Sequence, residues 1–364
     1  MGSMNLDARV GAPAFRSAFY SSALRIFPVL AALLFGCEVA SPLPAMSGGD
    51  SDSDGDSDTD GDSDTDSDSD SDTDSDTDVE PDAGIDCDSL WPGPYQGSRF
   101  EDMPTGDDLA FDVNGNLIGM SQENLYEISK AGAPSLWVEG AGCVSGLTAL
   151  PTGDFVCGGA DALYLFDKFT GARRTVLAGL RQPAGIELSP NGDLYVAERE
   201  GDGVRMVHPY TSASKLVAED LPAPTGLAFS PDFRTLYVSS DCTAIYTVAF
   251  DDGREPAPPK PFLALSDPVA IAADMSGCLT GLGVDACGNV YVLTGDEPRL
   301  YRIAPDASAA AQIFDFRGYV TWAWNLEWGR GVGGFFEDAL YVTCSDDTLF
   351  EVRVDMPGKT YSQN

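Results

Sequence analysis

The sequence predicts an all-β protein, a six-bladed β-propeller, preceded by a signal peptide and a disordered Ser-Asp linker. Two observations predict the propeller: a strand–turn–strand pattern that occurs six times from residue 107 onward, and the spacing of its copies. The copies start 38, 39, 41, 55 and 44 residues apart, which is typical of four-stranded propeller blades. A third observation, an acidic run without hydrophobic periodicity before the first copy, predicts the linker. We therefore divide the chain into residues 1–36, 37–86 and 87–364.

The chain is strongly acidic. It has 58 Asp and Glu residues against 21 Lys and Arg, which gives a formal net charge of −37. Proteins that bind nucleic acid need clustered Lys and Arg to hold phosphates, so this charge excludes DNA and RNA as expected partners. Hydrophobic residues make up 43% of the chain, which is enough for a sizeable core outside the acidic run.

The N-terminus has the pattern of an export signal. An apolar run from Ile26 to Phe35 follows several Arg residues and is too short to span a bilayer. The sequence Leu34-Phe35-Gly36-Cys37 that ends it resembles the bacterial lipobox, which implies a lipid on Cys37 and cleavage before it. We therefore expect a lipoprotein of the bacterial cell envelope, anchored to a membrane at the outer membrane or cell surface. The alternative is an ordinary cleaved signal peptide of a secreted protein.

The segment 37–86 is of low complexity. Asp occupies every even position from Asp50 to Asp78 between Ser, Thr and Gly residues. Such a segment buries too little apolar surface to offset its conformational entropy, so we expect a disordered, charge-extended spacer. The alternative is calcium binding, since Asp50-x-Asp52-x-Asp54-Gly55 matches the start of an EF-hand loop. Position twelve of that loop is Gly61 where a bidentate Glu is needed, which leaves only diffuse cation binding.

Each copy of the repeat begins with a short apolar strand, usually introduced by a residue followed by Gly. A tight turn rich in Asn, Asp, Pro and Gly leads to a second strand of the type Leu-Tyr-Val. The six copies start at Asp107, Ser145, Ala184, Thr225, Thr280 and Trp324. The fourth copy is followed by a Pro-rich insertion around 257–259, and the last has an expanded Gly-rich turn from Gly329 to Asp338.

The ring should be closed by the N-terminal segment of the domain. The chain ends soon after the third strand of the sixth copy, Thr348–Val352, so that blade lacks a fourth strand. The segment Tyr95–Phe100 precedes the first copy and belongs to no blade. Pairing these two segments would hide two open sheet edges.

The repeats, such as Pro224-Thr225-Gly226-Leu227 with its Ser-Pro-Asp turn, resemble those of the senescence marker protein/gluconolactonase family and related NHL-like propellers. The resemblance implies a divalent metal, such as calcium, at the mouth of the central channel. Its ligand positions fall on Asp107, beside Asp108, and on Thr225 and Thr280. Two of the three ligands would be neutral hydroxyls, which hold a hard cation poorly.

This ligand set favours a binding module over an enzyme. We expect an envelope-anchored, monomeric propeller that binds a small molecule, a glycan or a protein. The alternative that the resemblance implies is a metal-dependent lactonase or esterase. The single histidine, His208, has no nucleophile or orienting acid in a recognisable motif, which favours a surface or edge position.

Two groups of residues are candidates for a ligand-binding face. Acidic residues precede first strands or follow second strands, two places that share one face of a propeller: Asp107, Asp108, Asp161, Glu198, Asp241, Asp274 and Asp346. They could form an acidic rim, or simply solvated loops. Trp322, Trp324 and Trp328 should all point to one side of a strand, either at the channel mouth or as wedges between blades.

Cysteine usage predicts disulfides in an exported chain. Cys143 and Cys157 lie at one end of a predicted hairpin, and Cys242 and Cys278 lie on one face between neighbouring blades. We predict the pairs Cys143–Cys157 and Cys242–Cys278. The remaining cysteines, Cys87, Cys287 and Cys344, stay unassigned, and their odd number leaves at least one without a partner in the chain.

Overall fold

The structure, a computed structural model, describes residues 87, 95–112, 114–130, 133–251 and 254–359. The predicted signal peptide, Cys37 and the Ser-Asp spacer lie outside these residues. Within them, no helix has the length and apolar character needed to cross a bilayer. The described part is nearly all β, as predicted: six antiparallel sheets of four strands each form a six-bladed propeller.

The first three blades are continuous in sequence. Blade 1 consists of β2 (Asp108–Phe111), β3 (Leu117–Ser121), β4 (Asn124–Ile128) and β5 (Ser135–Val138). Blade 2 consists of β6 (Ser145–Ala149), β7 (Phe155–Gly158), β8 (Ala162–Phe166) and β9 (Arg173–Ala178). Blade 3 consists of β10 (Pro183–Leu188), β11 (Leu194–Glu198), β12 (Gly203–Val207) and β13 (Ser214–Ala218).

Blade 4 consists of β14 (Pro224–Phe229), β15 (Thr235–Ser240), β16 (Ala244–Ala249) and β17 (Lys260–Ala264). Blade 5 consists of β18 (Leu279–Val284), β19 (Val290–Thr294), β20 (Arg299–Ile303) and β21 (Ala310–Asp315). Blade 6 consists of β22 (Ala323–Trp328), β23 (Ala339–Cys344), β24 (Thr348–Arg353) and the N-terminal strand β1 (Gly97–Phe100). The short helix α1 (Pro268–Ala272), which the sequence analysis did not predict, joins blades 4 and 5.

Blade 6 joins the two ends of the domain. Strand β1 pairs antiparallel with β24, from Gly97 opposite Val352 to Phe100 opposite Leu349. The predicted closure by the segment before the first repeat is therefore confirmed. Without this pairing, the edge of β24 and the facing edge of β1 would both be open. Pairing satisfies the backbone groups along these two edges.

The innermost strands β2, β6, β10, β14, β18 and β22 surround the central channel, and each contacts its two neighbours. This close approach explains the glycine in the repeat. A Cβ on Gly185 would overlap the carbonyl oxygen of Thr225, and one on Gly226 would overlap that of Thr280. The residue–Gly pattern is therefore a requirement of the narrow channel.

The tyrosine of the repeated Leu-Tyr-Val strand packs between blades. Tyr195 of blade 3 lies edge-on to Phe229 of blade 4, with ring centroids 4.9 Å apart. Tyr291 of blade 5 contacts Trp328 of blade 6 in the same way at 5.2 Å. Such pairs add to the apolar area buried between sheets. The tyrosine of the repeat thus packs in the same way at these two blade boundaries.

Three disulfides link described residues: Cys143–Cys157, Cys242–Cys278 and Cys87–Cys287. The first two are the predicted pairs. The third joins the N-terminal segment of the domain to the β18–β19 turn, across 200 residues of sequence. Cys344 is buried and has no disulfide partner among the described residues.

Candidate functional site

The central channel has two mouths. We call the end at which the innermost strands begin the first mouth, and the end at which they finish the second mouth. A cavity of about 400 Å³ occupies the first mouth and one of about 310 Å³ the second. Ile186, Leu227 and Asn325 line both cavities, so these three side chains mark the middle of the channel.

The first mouth combines an aromatic shelf with polar side chains. The rings of Trp322 and Trp324 lie 5.1 Å apart at an angle of 38° on the blade 6 side, and Trp324 is 43% exposed. Asp107 of blade 1 and Arg199 of blade 3 line other sides of the same cavity. Among the described residues, the Arg199 side chain makes no ion pair, so its guanidinium is available to a ligand.

The three tryptophans lie at different points along blade 6. Trp322 and Trp328 both face blade 5, where a Cβ added to Gly295 or Gly283 would meet their rings. Trp322 and Trp324 line the first mouth. Trp328 is buried near the second, where its indole N–H donates to the Met356 carbonyl at 2.9 Å.

Asp107 stands at the first mouth, just before β2. Its Oδ2 accepts a hydrogen bond of 2.9 Å from the Gln122 backbone N–H. Although the side chain reaches solvent, partial burial raises the pKa of its carboxyl, and the nearby carboxylates of Asp347 and Glu123 raise it further. The Gln122 N–H opposes this effect. This side of the mouth is therefore acidic and suited to hydrogen-bond donors or cations.

Asp108 is buried more deeply and links three blades of the propeller. Its Oδ1 accepts hydrogen bonds from the Leu109 N–H at 2.7 Å and from Asn325 Nδ2 at 2.8 Å, and its Oδ2 accepts one from the Leu147 N–H at 2.9 Å. These donors come from blades 1, 6 and 2. Burial raises the pKa of Asp108 to about 7, against the effect of the three donors. The arrangement is that of a structural carboxyl group.

The two threonines at the family's ligand positions point their hydroxyls at the protein. Thr225 Oγ1 lies 2.9 Å from Ser239 Oγ, and Ser239 in turn donates to the Thr280 carbonyl at 2.8 Å. Thr280 Oγ1 donates to the Ala323 carbonyl at 3.2 Å. These bonds link the innermost strands of blades 4, 5 and 6 around the channel.

This donor set does not fit a divalent metal. Asp107 offers the one carboxylate with free lone pairs, Asp108 is bonded to three N–H groups, and the threonines add no negative charge. Within the described ranges, no group of three or more His, Cys, Asp and Glu residues is placed to hold a metal ion.

The other predicted rim residues lie outside this cavity. Asp161, Asp241 and Asp346 are exposed on loops at the first-mouth face. Glu198 is buried, with its Oε1 2.6 Å from Arg205 Nε, and its Oε2 accepts the Arg181 N–H.

His208 is half-buried after β12, where its Nδ1 accepts the backbone N–H groups of Tyr210 and Thr211 at 3.2 Å. The histidine therefore caps a turn and does not reach the channel.

The second mouth is ionic. Glu187 at the end of β10, Glu327 near the end of β22 and Arg330 line both the cavity of about 310 Å³ and an adjoining one of about 200 Å³. Lys359 of the C-terminal segment lines the smaller one. Lys359 Nζ lies 2.7 Å from Glu187 Oε1. Burial raises the pKa of Glu327, Arg330 and Lys359 lower it, and Glu187 raises it.

Sequence reasoning included Trp322 among the candidates for the channel mouth but missed Arg199 and Asn325 as lining residues of the first mouth. Asn325 follows Trp324 at the place where other repeats have glycine, and this departure from the repeat was the available signal. Arg199 follows a second strand, whereas the predicted rim contained acidic residues alone. Lys359 and Glu187 are 172 positions apart, and no pattern in the sequence connects them.

No protein-family model matches the sequence, and no curated protein sequence matches it. Solved structures do resemble it. A gluconolactonase from Xanthomonas campestris has 18% identity and a TM-score of 0.60, over 73% of this chain and 91% of that one. The calcium-binding protein regucalcin from Agrobacterium tumefaciens has 17% identity and a TM-score of 0.59, over 73% and 95%.

An auxiliary nutrient binding protein from Bacteroides ovatus is also similar, with 12% identity and a TM-score of 0.55 over 71% of this chain and 76% of that one. At these identities the likeness extends to the fold alone. The resemblance that the repeats carry is confirmed at that level: the chain has the six-bladed fold of gluconolactonase-like propellers.

Proposed function

We propose that the protein is an envelope-displayed binding module that captures a small organic ligand at the first mouth of its channel. The observation that carries this proposal is the combination of a cavity of about 400 Å³ with a tryptophan shelf and polar groups on other sides. Ligand sites are commonly concave, largely apolar and equipped with a few convergent polar groups.

The chemistry of the mouth favours a ligand with one apolar face and several hydroxyl groups, such as a saccharide ring. Indole faces stack on the C–H face of such a ring, while Asp107 accepts hydrogen bonds and Arg199 donates them. A ligand of this kind needs no metal.

The disulfide of the N-terminal segment lies away from the first mouth. Cys87 is bonded to Cys287, which lies in the β18–β19 turn on the second-mouth face. A lipid on Cys37 would therefore connect to the propeller at the face opposite the first mouth.

Binding is tested by isothermal titration calorimetry with gluconate, glucono-lactone and short oligosaccharides. We expect at least one probe to bind wild type, and Trp324→Ala to weaken its affinity about tenfold or more, about 1.4 kcal/mol. Phe169→Ala, which alters an exposed aromatic residue outside the first-mouth cavity, is the matched control. Binding that survives Trp324→Ala and Trp322→Ala would contradict the proposed site.

A metal-dependent lactonase is the second candidate, because Asp107 keeps a carboxylate at the first ligand position. We expect no lactone turnover by wild type with calcium, zinc or manganese, since the threonines cannot hold the cation firmly. Turnover that disappears in Asp107→Ala would favour the enzyme. Activity gained only by Thr225→Asn with Thr280→Asp would show that the scaffold is competent and lacks the ligands.

A further inference from the structure

The second mouth holds an amino group of the chain itself. Lys359 Nζ lies 2.7 Å from Glu187 Oε1, and the two side chains are only 10% and 13% exposed. The ion pair Lys215–Glu255 has a similar distance, 2.6 Å, but its side chains are 48% and 69% exposed. Withdrawing two charges from water is costly unless their geometry matches. The Lys359 pair is therefore a built site, unlike the surface pair.

The backbone on both sides of Lys359 is held by hydrogen bonds and by close packing. The Lys359 N–H donates to the Val284 carbonyl at 3.2 Å, and the Pro357 carbonyl accepts the Ala286 N–H at 3.0 Å. Gly358 lies on the Trp328 indole so closely that an added Cβ would stand 2.7 Å from its Cγ. These contacts fix the segment to blades 5 and 6, and the lysine side chain crosses to Glu187 of blade 3.

The cavity beside Lys359 carries a second carboxyl group. Glu327 lines this space of about 200 Å³ together with Glu187 and Lys359. It enters from blade 6, whereas Glu187 enters from blade 3. Of these two carboxyl groups, Glu187 is the one that pairs with Lys359.

We propose that the second mouth is a binding site for a primary ammonium ion, and that Lys359 is the ligand it holds in this chain. Glu187 is the direct acceptor. The chemical class that fits is an unbranched alkylammonium ion, including the side chain of a lysine. This site is independent of the ligand proposed at the first mouth.

Chemical rescue of the full-length protein tests the site. Lys359→Ala keeps the Cβ and removes a group of the size of n-propylammonium. We expect millimolar n-propylammonium to raise the melting temperature of Lys359→Ala and n-propanol to leave it unchanged. Wild type and the surface control Lys215→Ala should not respond. Adding Glu187→Gln to Lys359→Ala should abolish the response, and an equal response in wild type and Lys359→Ala would overturn the proposal.

A second measurement does not depend on the folding of Lys359→Ala. In wild type, acetylation of Lys359 followed by mass spectrometry should be about tenfold slower than that of Lys215, which corresponds to ~1.4 kcal/mol of protection. Glu187→Gln should remove most of this difference. Equal rates for the two lysines in wild type would show that the ammonium group is not held.

Discussion

The two mouths of the channel are formed by opposite ends of the same innermost strands, and they differ in the side chains that these ends carry. At the first mouth the strands begin with side chains that leave a cavity lined by Trp322, Trp324 and Asp107. At the second mouth β10 and β22 bring the carboxyl groups of Glu187 and Glu327, and the C-terminal segment places Lys359 beside Glu187. The repeat builds both ends, yet one end is left open to ligands while the other is partly filled by the chain.

This difference shows where polar groups serve structure and where they remain available. Asp108 and the hydroxyls of Thr225 and Thr280 are bonded to neighbouring blades. Asp107 and Arg199 reach the cavity with few bonds to the protein. A buried polar group must form its hydrogen bonds within the protein, whereas one at a solvent-exposed mouth can bond to water and exchange that water for a ligand.

The largest expected effect concerns the disulfides of the two faces. Cys87–Cys287 on the second-mouth face spans 200 residues, and Cys143–Cys157 on the first-mouth face spans 14. In the chain-entropy model, these loops correspond to about 5 and about 3 kcal/mol of stabilisation. Replacing both cysteines of each pair by serine should therefore lower the free energy of unfolding more for Cys87–Cys287. Chemical unfolding measures both, and equal losses would mean that the long loop is already constrained when unfolded.

Asp108 and Asp107 give the next contrast, between a bonded and an available carboxyl group in adjacent positions. Asp108→Ala leaves three N–H groups from three blades without an acceptor and should cost about 3–4 kcal/mol. Asp107→Ala removes one hydrogen bond at an accessible site and should cost less than about 1 kcal/mol. Urea unfolding of both variants tests this ranking. Similar losses would place Asp107 in the structural network and weaken its assignment to the ligand site.

The sequence predicted the architecture because the repeat is local. Turn chemistry and spacing identified the blades, and the unassigned segment Tyr95–Phe100 contains the strand that closes the ring. The disulfide within the blade 2 hairpin, Cys143–Cys157, and the one between blades 4 and 5, Cys242–Cys278, followed from the same topology. Cys87–Cys287 and Lys359–Glu187 could not be predicted, because each joins a segment outside the repeats to a turn or strand end far away in sequence.

The first mouth was predicted in part, for a similar reason. Asp107 and Trp324 occupy repeat positions, so the alternation of strands placed them at one end of the channel. Trp324 lies near the start of β22 and Trp328 at its end, so the two occupy opposite ends of the channel wall. The Trp328 indole bonds to the Met356 carbonyl, in a segment outside the repeats, and no pattern in the sequence connects the two.

The smallest expected effect separates the two carboxyl groups of the second mouth. Burial raises the pKa of Glu327, so the folded state binds this proton more tightly than the unfolded state. Its contribution to stability is full below the unfolded pKa and is lost as pH rises through the folded pKa. Glu327→Gln remains neutral, so its stability relative to wild type should increase with pH. Its side chain is 39% exposed, and screening by water limits the gain to less than about 1 kcal/mol.

Thermal unfolding of Glu327→Gln and Glu187→Gln between about pH 4 and pH 8 measures this difference. Glu187→Gln should be destabilised at neutral pH, because it leaves the Lys359 ammonium without its charged acceptor. The two substitutions change the same atoms in the same cavity, so opposite signs would assign the ammonium to Glu187 alone. If Glu327→Gln is destabilised as well, Glu327 is held as a carboxylate by Arg330 and Lys359. The second mouth would then bind its lysine between two charged acceptors.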